Sequence, residues 1–210
     1  MQQALPHFRH ERKLAKSDLW PIAGMDEVGR GPLAGPVAAA AVVLDPERLP
    51  KGVNDSKALA RDEREELYPT ILERCIAVAV AFSSAAEIDR INIRQASLLA
   101  MRRALAALAV RPRYVLIDGN DLPASLCCDG ETIIDGDAKS ISIAAASIIA
   151  KVTRDRLMRR LCSVYPVYGF SRHVGYSTEE HLAAIAKHGP CPYHRLSFSP
   201  FRPATEKIYS

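Results

Sequence analysis

Cysteine is sparse in this 210-residue chain, and none of it sits in a spacing that would build a structure. Cys75, Cys127, Cys128, Cys162 and Cys191 form no CxxC pair, and two of them are adjacent. That excludes a disulfide framework and a thiolate zinc site and leaves reduced thiols. Long apolar runs are missing as well. The longest stretches, Pro36 to Leu44 and Ile141 to Ala150, fall short of the roughly 20 residues that a bilayer crossing needs, so no membrane association is expected. The N-terminus mixes charges with single apolar side chains and has no apolar segment ending in a small-residue cleavage site. No secretory signal is therefore expected, and a cytoplasmic location is. Repeats, low-complexity tracts and internal linkers are absent too. The expected organisation is a polar N-terminal arm over residues 1–20 and a single domain over residues 21–210.

What is present is an ordinary globular composition, 48% hydrophobic and 25% charged, long enough to bury a sizeable core. The net charge of +4 is modest but unevenly spread. Residues 151–210 carry 10 Lys and Arg against 4 Asp and Glu, whereas the preceding 150 carry 18 against 20. With His173, His181, His188 and His194 alongside, this segment is either a face that meets a polyanion or a solvated basic face.

The patterning predicts a short strand over Pro21–Met25 running into Asp26-Glu27. A Gly/Pro-dense turn follows, then an Ala/Val strand over Val37–Leu44, the two forming a hairpin. A loop ends in Asn54-Asp55-Ser56-Lys57. Helical spacing through Glu63, Leu67 and Ile71 is interrupted by Pro69. A third strand spans Ile76–Phe82, Ser84-Ala85-Ala86-Glu87 has the capping-box pattern, and Ile91–Val110 is a long helix. Tyr114–Ile117 is a continuous apolar run ending at Asp118-Gly119, as in a strand covered on both faces. Thr132–Ile134 is a candidate edge strand, Ser140 to about Cys162 a long helix, and a last helix begins near Ser177-Thr178-Glu179-Glu180. Strands mixed with covering helices in this order give an α/β domain with a largely buried sheet.

Asp26 and Asp118 each follow an apolar strand, so parallel neighbouring strands would bring their carboxylates together. Hard divalent cations need a few such oxygens at one place, and two-ion phosphoryl transfer needs the same arrangement. Asp26, Glu27, Asp118, Asp137 and Asp155 are the candidates, each with the alternative of an ordinary surface acid or helix cap. Asp26 and Glu27, as successive strand residues, point to opposite faces. Ser147, Lys151 and Asp155 fall at i, i+4 and i+8, nearly one helix face, with a plain Lys151–Asp155 ion pair as the alternative reading. Gly29-Arg30-Gly31 lets backbone groups approach a ligand closely.

Taken as a block, Gly24-Met25-Asp26-Glu27-Val28-Gly29-Arg30-Gly31-Pro32-Leu33-Ala34-Gly35-Pro36-Val37 closely resembles the opening motif of the type 2 ribonucleases H. The resemblance continues through Asn54-Asp55-Ser56-Lys57, Ile117-Asp118-Gly119, Gly136-Asp137-Ala138-Lys139-Ser140, the stretch from Ala144 to Asp155, Gly175-Tyr176 and His194-Arg195-Leu196-Ser197-Phe198. It implies a ribonuclease H-like fold: a central mixed five-stranded sheet flanked by helices, with a helical C-terminal part. It also implies Mg2+- or Mn2+-dependent hydrolysis of RNA in RNA/DNA hybrids and cleavage on the 5′ side of single ribonucleotides in duplex DNA.

By the same resemblance, Asp26, Glu27, Asp118 and Asp155 match the metal-binding and catalytic carboxylates, and Asp137 a supporting acid. Gly29, Arg30 and Gly31 match the turn whose backbone meets the ribonucleotide. Tyr176 matches the tyrosine that works with that turn, and Lys57 and Lys151 match phosphate contacts. A 2′-OH is what distinguishes RNA from DNA locally, and backbone groups suit its recognition. The short N-terminal segment favours type HII over HIII, a clamp-docking C-terminal extension is not expected, and the protein is expected to be a monomer. The competing readings are another two-metal nuclease or a resolvase on the same fold, and a catalytically silent nucleic-acid-binding module.

Overall fold

In the computed structural model, which describes residues 5–201, the strands are β1 (Ile22–Val28), β2 (Val37–Leu44), β3 (Cys75–Ser83), β4 (Tyr114–Asp118) and β5 (Asp129–Ile133). They form one sheet in the order β3-β2-β1-β4-β5. β1 pairs antiparallel with β2, β2 antiparallel with β3, and β4 runs parallel to both β1 and β5. The sheet is therefore mixed and five-stranded, as the sequence resemblance implies. β5 is one edge, as β3 is the other, and it lies a few residues earlier than its apolar pattern suggests because its pairing is set by β4, from Tyr114↔Asp129 to Asp118↔Ile133.

The helices are α1 (Arg9–Ala15), α2 (Arg61–Arg74), α3 (Ala85–Ala106), α4 (Ile141–Val164), α5 (Phe170–His173) and α6 (Glu179–His188). α2 continues through Pro69. The lost backbone hydrogen bond lies on an exposed stretch, while Ile71 anchors the helix in the core. α3 is two helical pieces joined at Asn92 (φ 65°, ψ 163°), with Ser84 capping the first piece and the Asn92 side chain accepting from the Gln95 N–H in the second. Among the described residues, no helix is long and apolar enough to cross a membrane.

Side-chain alternation along the strands decides which layer each residue joins. Ala23 and Met25 of β1, Val37, Ala39, Ala41 and Val43 of β2, and Val115 and Ile117 of β4 pack against Ala96, Ala100, Met101, Ala104 and Leu105 of α3. The opposite face of β2, with Ala40, Val42 and Leu44, meets Ala144, Ala145, Ile148 and Ile149 of α4, and Ile71 of α2. Gly24 faces α4 so closely that a Cβ there would collide with the Ser142–Ile143 backbone. A third core, Met158, Leu161, Tyr168, Phe170, Cys191 and Ala34, joins the C-terminal helical part to the loop after β1.

β1 is longer than its apolar run. Pairing with β2 continues through Asp26↔Ala40, Glu27↔Ala39 and Val28↔Ala38, so both acids lie within the strand rather than beyond it. The N-terminal polar segment contains α1, which the sequence pattern does not announce. Its Glu11 is completely buried, and Glu11 Oε1 accepts from the Ser140 hydroxyl (2.6 Å) and the Ser142 N–H (3.1 Å) at the start of α4. A carboxylate there satisfies donors that a helix N-terminus leaves free and opposes the positive end of the helix dipole. Glu11→Ala should lower the unfolding free energy by about 2–3 kcal/mol, because a charged hydrogen-bonding group is removed and its partners stay buried. Urea unfolding of the two proteins checks this, and an unchanged midpoint would mean that α1 contributes nothing to the core.

Candidate metal centre and recognition turn

The alternation that builds the core also sorts the acids. Gly24 faces α4, so Asp26 does too. Leu116 packs on Ile143 of α4, so Asp118, two residues on, emerges on the same side. Parallel pairing with Met25↔Ile117 in register then sets the two carboxylates beside one another at the ends of central strands, where ligands of open α/β sheets collect. Asp137 joins them from the one-turn 3-10 helix Gly136–Ala138 that leads into α4. Carboxylate oxygens of Asp26, Asp118 and Asp137 all lie within 4.8 Å of one another. The Gly136 N–H donates to Asp118 Oδ1 (2.7 Å), tying that turn to the end of β4.

Glu27 faces the other way, as the strand geometry requires. It accepts from Arg30 (3.2 Å) and lines a cleft of about 100 Å3 with Arg30, Arg94, Asp118 and Asp121. Asp118 thus borders both the cluster and the Glu27 cleft. Asp155 is not brought to the cluster. Its carboxylate pairs with Lys151 (2.9 Å) along α4, so Lys151 is engaged as well. Lys57 is exposed and reaches Asp137 Oδ2 at 3.4 Å. The three clustered acids are thus Asp26, Asp118 and Asp137, the last of which the sequence comparison had placed in a supporting role.

Acids this close, two of them buried and Asp118 half-buried, raise the cost of charging Asp26 and Asp137. Burial, then Glu27, Asp118 and Asp137, raise the pKa of Asp26 well above its ordinary value, with Ser147 working against them. Ser147 is itself bonded to Ser56 (2.6 Å). Burial raises Glu27, and Arg30 offsets part of this. Asp137 is raised by burial and then by Asp118 and Asp55, with Lys57 opposing. For Lys57, partial burial is outweighed by Asp137, Asp26 and Asp55, and its pKa is raised. A concentration of buried oxygen ligands under mutual repulsion, with a single flexible ammonium beside it, fits a divalent cation.

The turn after β1 is built by two arginines that sequence reasoning did not single out. Both are completely buried. Arg154 donates to the carbonyls of Pro36 (2.9 Å), Val174 (3.0 Å) and Ala34 (3.1 Å). Arg195 donates to those of Gly35 (3.0 Å), Arg30 (2.8 Å) and Gly29 (2.6 Å). Burial lowers Arg154 to about 10, with Asp155 partly compensating, and burial with repulsion from Arg154 lowers Arg195 to about 9. Both stay cationic at neutral pH. In a trans peptide the N–H points opposite to the carbonyl. Holding the Gly29 and Arg30 carbonyls on Arg195 therefore turns the N–H groups of Arg30 and Gly31 away from it, and among the described residues neither has a backbone acceptor.

The two glycines of this turn have different reasons to be glycine. Gly29 has φ +92°, and a Cβ there would collide with the Arg154 guanidinium. At Gly31 the nearest atom to an added Cβ would be Tyr176 Cε1, at an ordinary 3.6 Å. Tyr176 is 45% exposed, so the ring stands open beside the turn, although some 145 residues separate the two in sequence. The basic C-terminal segment is less available than its composition suggests. Arg154 and Arg195 are buried, Arg156 and Arg159 share Glu65 (2.6 and 2.7 Å), and Arg172 is paired with Glu180.

An acidic cluster at the ends of the central strands of such a sheet fits one class, the metal-dependent nucleases of ribonuclease H type. The family model for ribonuclease HII matches residues 23–200. Ribonuclease HII of Rhizobium johnstonii is 56% identical over 211 residues, 98% of this chain and 92% of the relative. That of Agrobacterium fabrum is 54% identical over 197 residues, 94% of this chain and 90% of the relative. Among solved structures, ribonuclease H2 from Pyrococcus horikoshii OT3 superposes with a TM-score of 0.73 at 28% identity, covering 86% of this chain and 95% of that one. RNase HII of Archaeoglobus fulgidus, solved in a complex with PCNA, gives 0.71 at 28% identity, covering 89% and 98%. The chain belongs to the ribonuclease HII family.

Two outcomes follow from this geometry. In the metal-free protein, the folded-state carboxylate pKa values lie above their ordinary 3.8 and 4.5. The folded state therefore holds protons that the unfolded chain has released, and stability falls as pH rises through that window. A divalent cation relieves the repulsion once the protons leave. The rise in Tm on replacing chelator with Mg2+ or Mn2+ should thus grow between about pH 5 and about pH 8, and a pH-independent rise would put the cation elsewhere. Separately, Gly31→Ala should fold with stability within about 0.5 kcal/mol of the parent, whereas Gly29→Ala should lose more than about 1 kcal/mol through strain and displacement of Arg154. Equal loss in the two variants would contradict the division of roles.

Proposed function

We propose that Asp26, Glu27, Asp118 and Asp137 hold the divalent ions, Mg2+ or Mn2+, and that the scissile phosphate is brought to them by the Gly29-Arg30-Gly31 turn and Tyr176. The protein is a metal-dependent endoribonuclease, a hydrolase of RNA in RNA/DNA hybrids and of DNA at embedded ribonucleotides. The observation that carries the assignment of residues is the convergence of Asp26, Asp118 and Asp137 within 4.8 Å beside a turn whose open face meets Tyr176. Bound at these carboxylates, divalent ions supply the means to activate water and stabilise the leaving oxygen.

The remaining work belongs to the chain. Asp118, bordering both the cluster and the cleft at Glu27, is the residue best placed to link the two. The outward N–H groups of Arg30 and Gly31 donate to the ribonucleotide, whose 2′-OH accepts as well as donates. The Arg30 side chain, exposed at the rim and loosely held by Glu27, is free to turn to a phosphate. Lys57 opposes the negative charge of Asp137 and stands ready for a phosphate oxygen. Lys151 and Asp155 serve as a pair, so that Asp155 supports the site through Lys151. A monomeric, cytoplasmic protein completes the reading.

The test is cleavage of a duplex with one embedded ribonucleotide, of a continuous hybrid, and of an all-DNA control. Asp118→Asn and Asp137→Asn should each fold, bind the duplex and lose nearly all turnover, because a neutral amide no longer balances the ions. Asp155→Asn should retain measurable cleavage at every Mn2+ concentration. Substantial turnover by folded Asp118→Asn would sink the metal assignment, and abolition by Asp155→Asn with retention in Asp137→Asn would exchange the roles of those two acids. Cleavage of the all-DNA control would favour the general nuclease reading.

A further inference from the structure

Three histidines outside the carboxylate cluster are buried together: His173 at the end of α5, His181 on α6, and His194 beyond it. The His173 and His181 rings stack with centroids 4.5 Å apart, and those of His181 and His194 lie 5.2 Å apart. Their partners fix where each proton sits. His181 Nδ1 is 2.8 Å from the Tyr176 carbonyl, which only accepts, so Nδ1 carries the proton and Nε2 the lone pair. The Cys191 N–H donates to His194 Nδ1 (2.9 Å). The His194 proton is therefore on Nε2, aimed at His181 Nε2 3.0 Å away. His173 Nε2 donates to the Tyr168 carbonyl (2.7 Å) while its Nδ1 accepts from the Gly175 N–H (3.2 Å). Every ring nitrogen has a partner of the right kind, with all three rings neutral. Burial lowers all three pKa values, that of His194 to about 4.

These bonds end on one dipeptide. The Gly175 N–H is held by His173, the Tyr176 N–H donates to the His173 carbonyl (2.9 Å), and the Tyr176 carbonyl accepts from His181 and from the Thr178 N–H (2.9 Å). The Gly175 carbonyl accepts from the Leu33 N–H (2.8 Å), which ties the same dipeptide to the recognition turn. The Tyr176 backbone is thus fixed from within while its ring stays open beside Gly31. A polar chain that serves packing alone could be replaced by apolar groups of similar shape at little cost. This one is complete at both ends and terminates at the residue that faces the turn.

We propose that His181 and His194 are positioning residues for Tyr176. The neutral chain from Cys191 N–H through His194 and His181 to the Tyr176 carbonyl sets the ring against Gly31 and so governs the choice of a single embedded ribonucleotide. This rests on the reading of Tyr176 as a substrate contact. The experiment measures kcat and KM on a single-ribonucleotide duplex and on a continuous RNA/DNA hybrid for the parent, His181→Leu, His181→Asn, Tyr176→Ala and the double variant His181→Leu with Tyr176→Ala.

His181→Leu should lose about tenfold in kcat/KM on the single-ribonucleotide duplex, what one hydrogen bond is worth, and far less on the hybrid, whose many ribose contacts compensate. His181→Asn, whose amide can donate to the same carbonyl, should restore most of the ratio. In the Tyr176→Ala background, His181→Leu should change the ratio no further. If His181→Leu fails to fold, His181→Gln, with its donor displaced by one methylene, takes its place in the same comparison. Equal losses on both substrates without rescue by Asn, or an undiminished effect in the Tyr176→Ala background, would overturn the relay alone. A ratio unmoved by Tyr176→Ala in an active enzyme would overturn the role of Tyr176 and the relay with it. A parent protein that cleaves neither substrate would overturn the nuclease reading as well.

Discussion

The close approach of α4 to β1 at Gly24 is the contact on which the carboxylate cluster depends. With no Cβ at that position, the Ser142–Ile143 backbone lies directly on the strand, and the first turns of α4 come down over the face from which Asp26 and Asp118 emerge. The one-turn helix that precedes α4 is carried with it, and Asp137 arrives as the third acid. A side chain at residue 24 would lift the helix and withdraw Asp137 while leaving the two strand acids where they are. The cluster is therefore assembled by backbone packing rather than by its own charges, which repel one another. Folding energy from the two apolar layers holds together groups that would separate in water, and a divalent cation finds the arrangement already made.

Lys57 is the cation that reaches this cluster among the described residues, at Asp137, and the buried arginines do not pair with it. Arg154 and Arg195 are buried nearby, yet each spends its guanidinium donors on carbonyl oxygens rather than carboxylates. Had either paired with Asp26 or Asp118, the affinity for a cation would fall. Instead the arginines shape the turn after β1, and their positive charge lies behind the surface that a phosphate backbone would approach. Much of the basic excess of the C-terminal segment is used in the same internal fashion, on Glu65, Glu180 and Asp155. Net charge by segment is thus a poor guide to the nucleic-acid face, because it counts arginines that hold the fold together along with those that are free.

How far the sequence reveals this differs by layer. The sheet was legible because β2 and β4 are continuous apolar runs, and the meeting of Asp26 with Asp118 followed from two acids at the ends of two such runs. The division of Asp26 and Glu27 between faces followed from strand alternation. The end of β1 was not legible, since acidic residues mask a strand whose pairing is dictated by its neighbour. Asp137 was seen as a candidate but not as a clustered acid, because its place depends on a single turn of helix and on a bond from Gly136 to Asp118 that no periodicity encodes. Asp155 stood on the right helix face, but the Lys151 one turn away already answered for it. Glu11 gave no signal, charged residues being expected at the surface. For Arg154 and Arg195, the one hint was a turn rich in Gly and Pro, whose carbonyls must find donors somewhere.

The two glycines of the recognition turn show where the constraints on this site come from. The demand on Gly29 is internal: positive φ and the Arg154 guanidinium exclude any side chain. No such demand acts on Gly31, where an added methyl would rest at ordinary contact distance from Tyr176. An open position there suits a group that approaches from outside, as do the N–H groups of Arg30 and Gly31, neither of which has a backbone acceptor among the described residues. On the proposed reading, the parts that cut and the parts that choose therefore hang from different cores. Asp26, Asp118 and Asp137 are set by the sheet and α4, whereas the turn and Tyr176 are set by Arg154, Arg195 and the histidines of the C-terminal helical part, packed through Met158, Tyr168 and Phe170. Loosening that third core would leave the carboxylates in register with one another while letting the turn drift relative to them, so selectivity would decay before the capacity for hydrolysis does.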